Sequence, residues 1–239
     1  MGVISWENNL KLTADQYELV VGSLLGDARL ECRSLQGTAR LRIHHADSQK
    51  DYVLWKYEQL KNLVKTEPKA IRSWNNKYEK WYHSYYFHTI TTFAFRELHR
   101  MFYQDNQKGI PKNVDRLLTP RALAAWIMDD GCYYKGCMIC NTQSFSIIDQ
   151  KRLIGVLKSK YNLSASLQKD RENYRIFIKH SSTERLIDLI AFYIIPSMQY
   201  KIMTRNDCVP YCGTRWKVPD NQESKLPSYA GSSKLRMKI

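Results

Sequence analysis

The chain has 239 residues, a formal charge of +14 and 44% apolar residues. That is enough apolar side chain for a core, and no run of 18 consecutive apolar residues is available to cross a membrane. The basic excess is present in both halves and comes with 12% aromatics, including sixteen Tyr, which favours a polyanion and nucleic acid first.

The six Cys do not read as a disulfide framework. Cys132, Cys137 and Cys140 cluster, and Cys208 and Cys212 form a C-x3-C, but neither matches paired C-x2-C zinc spacing. Isolated thiols in a reducing, intracellular compartment are expected. The start, MGVISWENNLKL, lacks a basic region followed by an apolar core, so no secretory leader is read there. Glu7 and the missing early Arg are unlike a transit peptide.

Residues 1–11 read as a polar lead-in. Thr13 is a plausible N-cap for a helix that runs through Tyr17, Leu19, Val20, Val21, Leu24 and Leu25 to Asp27. A hairpin follows, with Leu30, Cys32, Leu41 and Ile43 alternating against Arg29, Glu31, Arg33, Arg40, Arg42 and His44 across a Gln36-Gly37 turn. A second helix starts at Asp47 or Ser48 and leaves before Pro68. A second hairpin turns at Asn75-Asn76-Lys77, and a third helix spans Thr92 to Tyr103.

After a connector with Gly109 and Pro111, Thr119-Pro120 opens a helix ending at Asp130. The order then repeats: a hairpin around Lys135-Gly136, a helix from about Ser146 to Tyr161, a hairpin turning near Arg171-Glu172-Asn173, and a helix from about Thr183 to Tyr193. Phe87 to Tyr103 and Phe177 to Tyr193 have the same separation and serve as landmarks of the repeat. The expected fold is α+β, a pseudo-two-fold tandem repeat of helix-hairpin-helix-hairpin-helix with two four-stranded antiparallel sheets. The divisions are a lead-in at 1–11, a first repeat at 12–107, a linker at 108–117, a second repeat at 118–202 and an extension at 203–239.

VVGSLLGDA at 20–28 and LAAWIMDDG at 123–131 are the paired feature of the two halves. An Asp after an apolar helix is ordinarily an exposed terminus residue, but here it is duplicated as Asp27 and Asp130. Gly22 and Gly26 on one helix, and Ala124 and Ala125 on the other, allow two backbones to approach closely. Two acids at the C-terminal ends of close helices repel, and the helix dipoles add to the repulsion. Divalent cations between them would make the arrangement tolerable, and carboxylates with main-chain carbonyls suit Mg²⁺. A hard cation beside a basic nucleic-acid groove implies phosphoryl chemistry. No Gly-rich phosphate loop or Ser-His-Asp arrangement is visible.

These two stretches resemble the signature helices of the LAGLIDADG homing endonucleases of the single-chain, two-repeat type. The resemblance covers about residues 12–202, departs at Ala28 and Ala125 where the family has Gly, and in WIMDDG, NTQSF and IPSMQYK is similar to the I-SceI-like branch. It implies that Asp27 and Asp130 ligate the catalytic metals, and that Gly26 and Asp129 contribute mainly their backbone carbonyls. It implies a Lys near each cleavage site, for which Lys108 and Lys201 are the candidates. Asn141 and Gln143 are candidates for holding waters, and the matching place in the first half falls around His44-His45.

Concave sheets of this kind can lie along the major groove, where base pairs are distinguishable. Candidate groove-facing residues are Arg29, Arg33, Arg40, Arg42, His44, Arg72, Trp74, Asn76, Lys77, Lys80 and Tyr82 in the first half. In the second they are Tyr134, Lys135, Gln168, Lys169, Arg171, Asn173 and Arg175. Because the halves differ at these positions, the expected target is long and asymmetric. The reading is a monomeric endonuclease acting on double-stranded DNA, without an obligate protein partner. It would use two or three Mg²⁺ ions, with Mn²⁺ substituting and Ca²⁺ binding without cleavage. The resemblance implies staggered 3′ overhangs, intron mobility, and an organellar or microbial setting. The alternative is a cleavage-deficient binder of the same fold, such as an RNA maturase.

Overall fold

A computed structural model describes residues 10–32 and 37–202. Arg33, the Gln36 side of the first turn, Cys208, Cys212 and the 203–239 extension lie outside the described residues.

Helix α1 (Ala14–Leu25) begins with a capping box, in which the Thr13 hydroxyl accepts from the Gln16 N–H and the Gln16 side chain accepts from the Thr13 N–H. It ends at Leu25, with Gly26 as C-cap, so Asp27 lies just beyond the helix rather than in it. The first sheet is built from β1 (Arg29–Cys32), β2 (Ala39–Ala46), β3 (Lys69–Asn75) and β4 (Lys80–His88), in the order β1-β2-β4-β3. Helices α2 (Lys50–Gln59) and α3 (Phe93–Phe102) cover one of its faces, over Leu41, Ile43 and Phe87. Thr92 caps α3 as its position suggests.

The connector holds more structure than expected. Two-residue strands β5 (Tyr103–Gln104) and β6 (Gln107–Lys108) are joined through Asp105 and Asn106, both at positive φ (48° and 62°). That is the turn geometry that Asp and Asn tolerate and that matches strand twist. A single turn of helix, α4 (Val114–Leu117), follows.

Helix α5 (Pro120–Asp130) is capped by Thr119 and has Pro at its first turn. The second sheet, β7 (Gly131–Tyr134), β8 (Cys137–Cys140), β9 (Ala165–Asp170) and β10 (Asn173–Ile178), has the order β7-β8-β10-β9, the same topology as the first. Helices α6 (Ile147–Tyr161) and α7 (His180–Ile190) complete the half. The last helix starts three residues before the expected Thr183, and Ala191–Tyr193 is a 3-10 turn rather than its continuation.

The Phe87 and Phe177 landmarks are one residue out of step. Phe87 pairs with Ile43, whereas Ile43 corresponds through the motif ladder to Cys140, whose partner is Ile176. Phe87 is therefore core-facing and Phe177 turns to the other face, since a one-residue slip reverses a strand's side chains.

Candidate active site

The two motif helices cross with almost no side chain between them. A methyl group on Gly22 would lie 2.2 Å from the Ala122 carbonyl oxygen, and one on Gly26 would lie 2.4 Å from the Asp129 Cβ. Both are sub-van der Waals separations, so glycine is needed for the approach itself. The crossing brings Gly26 and Asp27 beside Asp129 and Asp130. The Asp27 N–H donates to one Asp129 carboxylate oxygen at 3.2 Å.

The residue types at this junction are arranged as two related centres. At the first, Lys201 Nζ donates to the Asp129 carbonyl at 3.0 Å, and its charge acts on Asp27. At the second, Lys108 Nζ donates to the Gly26 carbonyl at 2.7 Å and the Ala28 carbonyl at 3.0 Å, and Asp130 is the leading acid acting on it. The seventh motif position of each helix thus offers its carbonyl to a lysine near the eighth-position Asp of the other helix. The lysines come from unlike elements. Lys108 is held by the β5–β6 turn, and Lys201 ends a 3-10 segment, Pro196–Lys201.

Electrostatically the centres differ. Burial opposes ionisation of Asp27, but the His45 hydrogen bond and the charges of His45, Lys56 and Lys201 outweigh it and hold this carboxyl below its ordinary range. Asp130 has no hydrogen-bond or ion-pair partner for its carboxylate among the described residues. Burial, then the charges of Asp27 and Asp129, push its pKa up to about 8. Burial also lowers Lys108, against the pull of the three acids.

Lys56 was not singled out for the site, and of the expected His44-His45 pair only one belongs to it. Lys56 on α2 is fully buried and donates to Asp129 Oδ1 at 2.7 Å, where the Asp129 side chain is also fully buried. His45 on β2, rather than exposed His44, is the histidine at the centre. Its Nδ1 is 3.4 Å from Asp27 Oδ2 and its Nε2 is 3.3 Å from Lys56 Nζ. The signal for Lys56 was its place on the apolar stripe Tyr52, Val53, Leu60, where a cation is out of pattern. His45 continues the buried alternation of Leu41 and Ile43.

The Asn141 N–H donates to the Asp130 carbonyl at 3.0 Å, which places Asn141 directly beside the motif. Gln143 instead reaches across to the sheet and donates to Asp170 Oδ2 at 2.7 Å. His44 lies on the open sheet face with its ring nitrogen 2.8 Å from the Ser84 hydroxyl.

Ladder register sorts the remaining candidates. Arg29, Arg40, Arg42, His44, Lys80 and Tyr82 share the face of the first sheet turned away from Leu41, Ile43 and Phe87. Arg72 and Trp74 do not. They pair with His83 and Trp81, on the side of Phe87, where the hairpin extends past its helices. Arg72 stacks there 3.9 Å from the Trp81 ring centre. The alternation of the run was legible, but its phase depended on which β4 residue faced the core. Asn76 and Lys77 are in the turn.

On the second sheet, Tyr134, Gln168, Asn173 and Arg175 share the open face. Lys169 pairs with Tyr174 on the opposite one, and Lys135 and Arg171 are turn residues at positive φ. Among the arginines of the first sheet, on the same face, sits an acid. Glu31 is 2.9 Å from Arg29, 2.7 Å from Arg40 and 3.8 Å from Arg42. Partial burial opposes its ionisation, but the Arg40 and Arg29 hydrogen bonds outweigh that and lower its pKa.

This fold, with paired acidic helix ends between two basic sheets, defines a class. The sequence pattern of the LAGLIDADG DNA endonuclease family matches residues 17–186, and the chain belongs to that family. It is 33% identical to the DNA endonuclease I-ChuI of Chlamydomonas applanata over 218 residues, covering 82% of this chain and 98% of that protein. It is 31% identical to the cytochrome b mRNA maturase bI2 of Debaryomyces hansenii over 198 residues, covering 81% and 76%. The structure of the homing endonuclease I-WcaI bound to its DNA recognition sequence shares the fold, with a TM-score of 0.79, 24% identity, and coverage of 86% of this chain and 96% of that one.

Proposed function

We propose that the chain is a site-specific endonuclease that cuts both strands of a long, asymmetric DNA target by metal-dependent phosphodiester hydrolysis. The observation that carries this reading is the paired arrangement of Asp27 and Asp130, each near the other helix's carbonyl and a lysine ammonium. The donor set fits a hard divalent cation, Mg²⁺ first, since it is all oxygen. Among the described residues, no cation is ion-paired to the Asp130 carboxylate. Asp27 and Asp130 would hold the ions, with the Gly26 and Asp129 carbonyls beside them. A cation bound there supplies Lewis acidity and lowers the pKa of the attacking water.

The chain's own groups account for the rest. The ammoniums of Lys108 and Lys201 offset charge that develops on the phosphate, and the glycine-mediated helix contact fixes the spacing of the two centres. The open sheet faces, led by Arg29, Arg40, Arg42, Tyr82, Gln168 and Arg175, follow the major groove, with Arg suited to guanine and Gln to adenine. Cleavage leaving staggered 3′ overhangs, action as a monomer, and a role in intron mobility complete the reading. An organellar or microbial origin accords with the relatives.

The test uses target sites selected from a randomised duplex library and placed in a supercoiled plasmid. The wild type should linearise it with Mg²⁺ or Mn²⁺ and bind without cutting in Ca²⁺. Asp27→Asn and Asp130→Asn should each lower linearisation by about 10²-fold or more while retaining binding. Full cutting by both variants overturns the assignment. A second reading, an RNA maturase of the same fold, is favoured by the likeness to the D. hansenii mRNA maturase. Tight binding of intron RNA without DNA cutting in Mg²⁺ would select it.

A further inference from the structure

Four residues close a ring beneath one of the two centres. Lys56 Nζ binds Asp129 Oδ1 at 2.7 Å, and Asp129 Oδ2 accepts from the Asp27 N–H at 3.2 Å. Asp27 Oδ2 is 3.4 Å from His45 Nδ1, and His45 Nε2 returns to Lys56 Nζ at 3.3 Å. The Tyr52 ring closes the ring from below, 4.2 Å from the Lys56 ammonium. Asp27, His45 and Asp129 alone form a donor cluster that could hold a metal ion. The Lys56 ammonium takes the cation's place there, so the side chain of Asp129 is already neutralised from inside the protein.

The second repeat has no counterpart to this ring. Continuing the β1–β2 ladder by two residues sets His44 opposite Asp27, and continuing the β7–β8 ladder by one sets Asn141 opposite Asp130, so His45 corresponds to Thr142. The buried pattern Val53, Lys56 on α2 and Leu60 at its C-cap repeats as Gln150, Leu153, Leu157 on α6, so Lys56 corresponds to Leu153. Thr142 bonds neutral Gln150 at 3.0 Å, and neither of the two is bonded to Asp130. The fold therefore accepts an apolar residue where Lys56 stands. A buried ion pair generally stabilises no more than a well-packed apolar group of like volume. Stability alone thus gives no reason for the ammonium, whereas both arms of the ring end on Asp27, one on its main chain and one on its carboxylate.

We propose that Lys56, acting through Asp129 and His45, is a positioning residue for the Asp27 centre alone, so that removing it turns double-strand cleavage into nicking of one strand. This rests on the endonuclease reading. Lys56→Met by itself strands a buried carboxylate and can unfold the chain. The variant to use is therefore Lys56→Met with Asp129→Asn, in the full chain. Folding is checked by thermal melting, and target binding is checked in Ca²⁺. Cleavage of the supercoiled target plasmid in Mg²⁺ is then read with each strand separately end-labelled.

The expected result is a loss of the break in one strand at least tenfold larger than any change in the other, where Asp129→Asn also removes a charge that acts on Asp130. Nicked circles should accumulate. The strand spared should be the one spared by Lys201→Met, whose ammonium serves the same centre. A folded, binding-competent double variant that cuts both strands at the wild-type rate, or loses both equally, overturns the proposal. A purely structural role for the pair predicts one of those two results. A wild type that cuts neither strand instead overturns the endonuclease reading and takes this inference with it.

Discussion

The two acidic helix ends are alike in backbone and unlike in surroundings. Asp27 is braced by His45 and, through Asp129, by Lys56, while Asp130 faces two other carboxylates with no hydrogen-bond or ion-pair partner for its own among the described residues. One carboxylate is held ionised by nearby cations, and the other is pushed towards its neutral form by burial and by its acidic neighbours. A duplicated fold can thus keep its helix geometry while its halves acquire different electrostatics, because the bracing side chains come from β2 and α2 rather than from the motif itself.

The largest expected effect comes from the shared feature, the helix contact. Gly26→Leu drives a side chain into Asp129 and should cost about 3 kcal/mol of stability, read as a fall in the urea midpoint. Cleavage should vanish with it, whereas Asp27→Asn should leave DNA binding intact. An unshifted midpoint for Gly26→Leu would mean that the helices are not in contact at this point.

The next effect separates the two acids in metal-free buffer. Asp130 has a folded pKa of about 8, above the ordinary carboxyl value of about 4. Its contribution to stability is therefore present below pH 4 and is lost as pH rises from 4 to 8. Asp130→Asn should raise the melting temperature at pH 8 by about 3 °C, with the gain fading towards pH 4. Asp27, whose pKa is lowered, contributes stability above its ordinary pKa and loses it as pH falls. Asp27→Asn should accordingly lower the melting temperature at pH 7. Shifts of the same sign for both variants would remove the distinction between the centres. Mg²⁺ should reverse the Asp130 effect, since a bound cation rewards the carboxylate.

A smaller effect is expected at the sheet. Glu31 holds Arg29 and Arg40 in fixed poses and lowers the net charge of that face. Glu31→Gln should tighten binding to random DNA severalfold and narrow the preference for target over non-target, measured by competition at fixed salt. The smallest contrast is between the two faces of the long hairpin. Tyr82→Ala, on the open face, should weaken target binding by about 1 kcal/mol, roughly fivefold in Kd. Trp74→Ala, on the reverse face, should leave it unchanged.

Much of the architecture was legible because local signals agreed. Thr13 with Gln16, Thr119 with Pro120, and Ser146 all cap the helices they announce, and the repeat order returns as two sheets of one topology. What was not legible depended on distant residues. The phase of Arg72 and Trp74 required the β4 partner, and the Phe87 and Phe177 landmarks matched by chance of spacing rather than by register. Of the candidate site, the motifs and the resemblance point to the paired Asp residues and both lysines, and the structure brings all four together. Lys56 was hidden because its partner Asp129 lies 73 residues away, although its break in the apolar stripe of α2 was visible. The Asp105-Asn106 turn that delivers Lys108 could be read as a turn, but not as one aimed at Gly26.

The most direct test of the account is anomalous scattering from Mn²⁺ in a crystal of the protein with its selected target DNA. The account predicts one peak touching the Asp27 carboxylate and the Asp129 carbonyl, and another touching the Asp130 carboxylate and the Gly26 carbonyl, with Lys56 still on Asp129. A peak on the Asp129 carboxylate with Lys56 displaced, or no peak at either helix end, would contradict it.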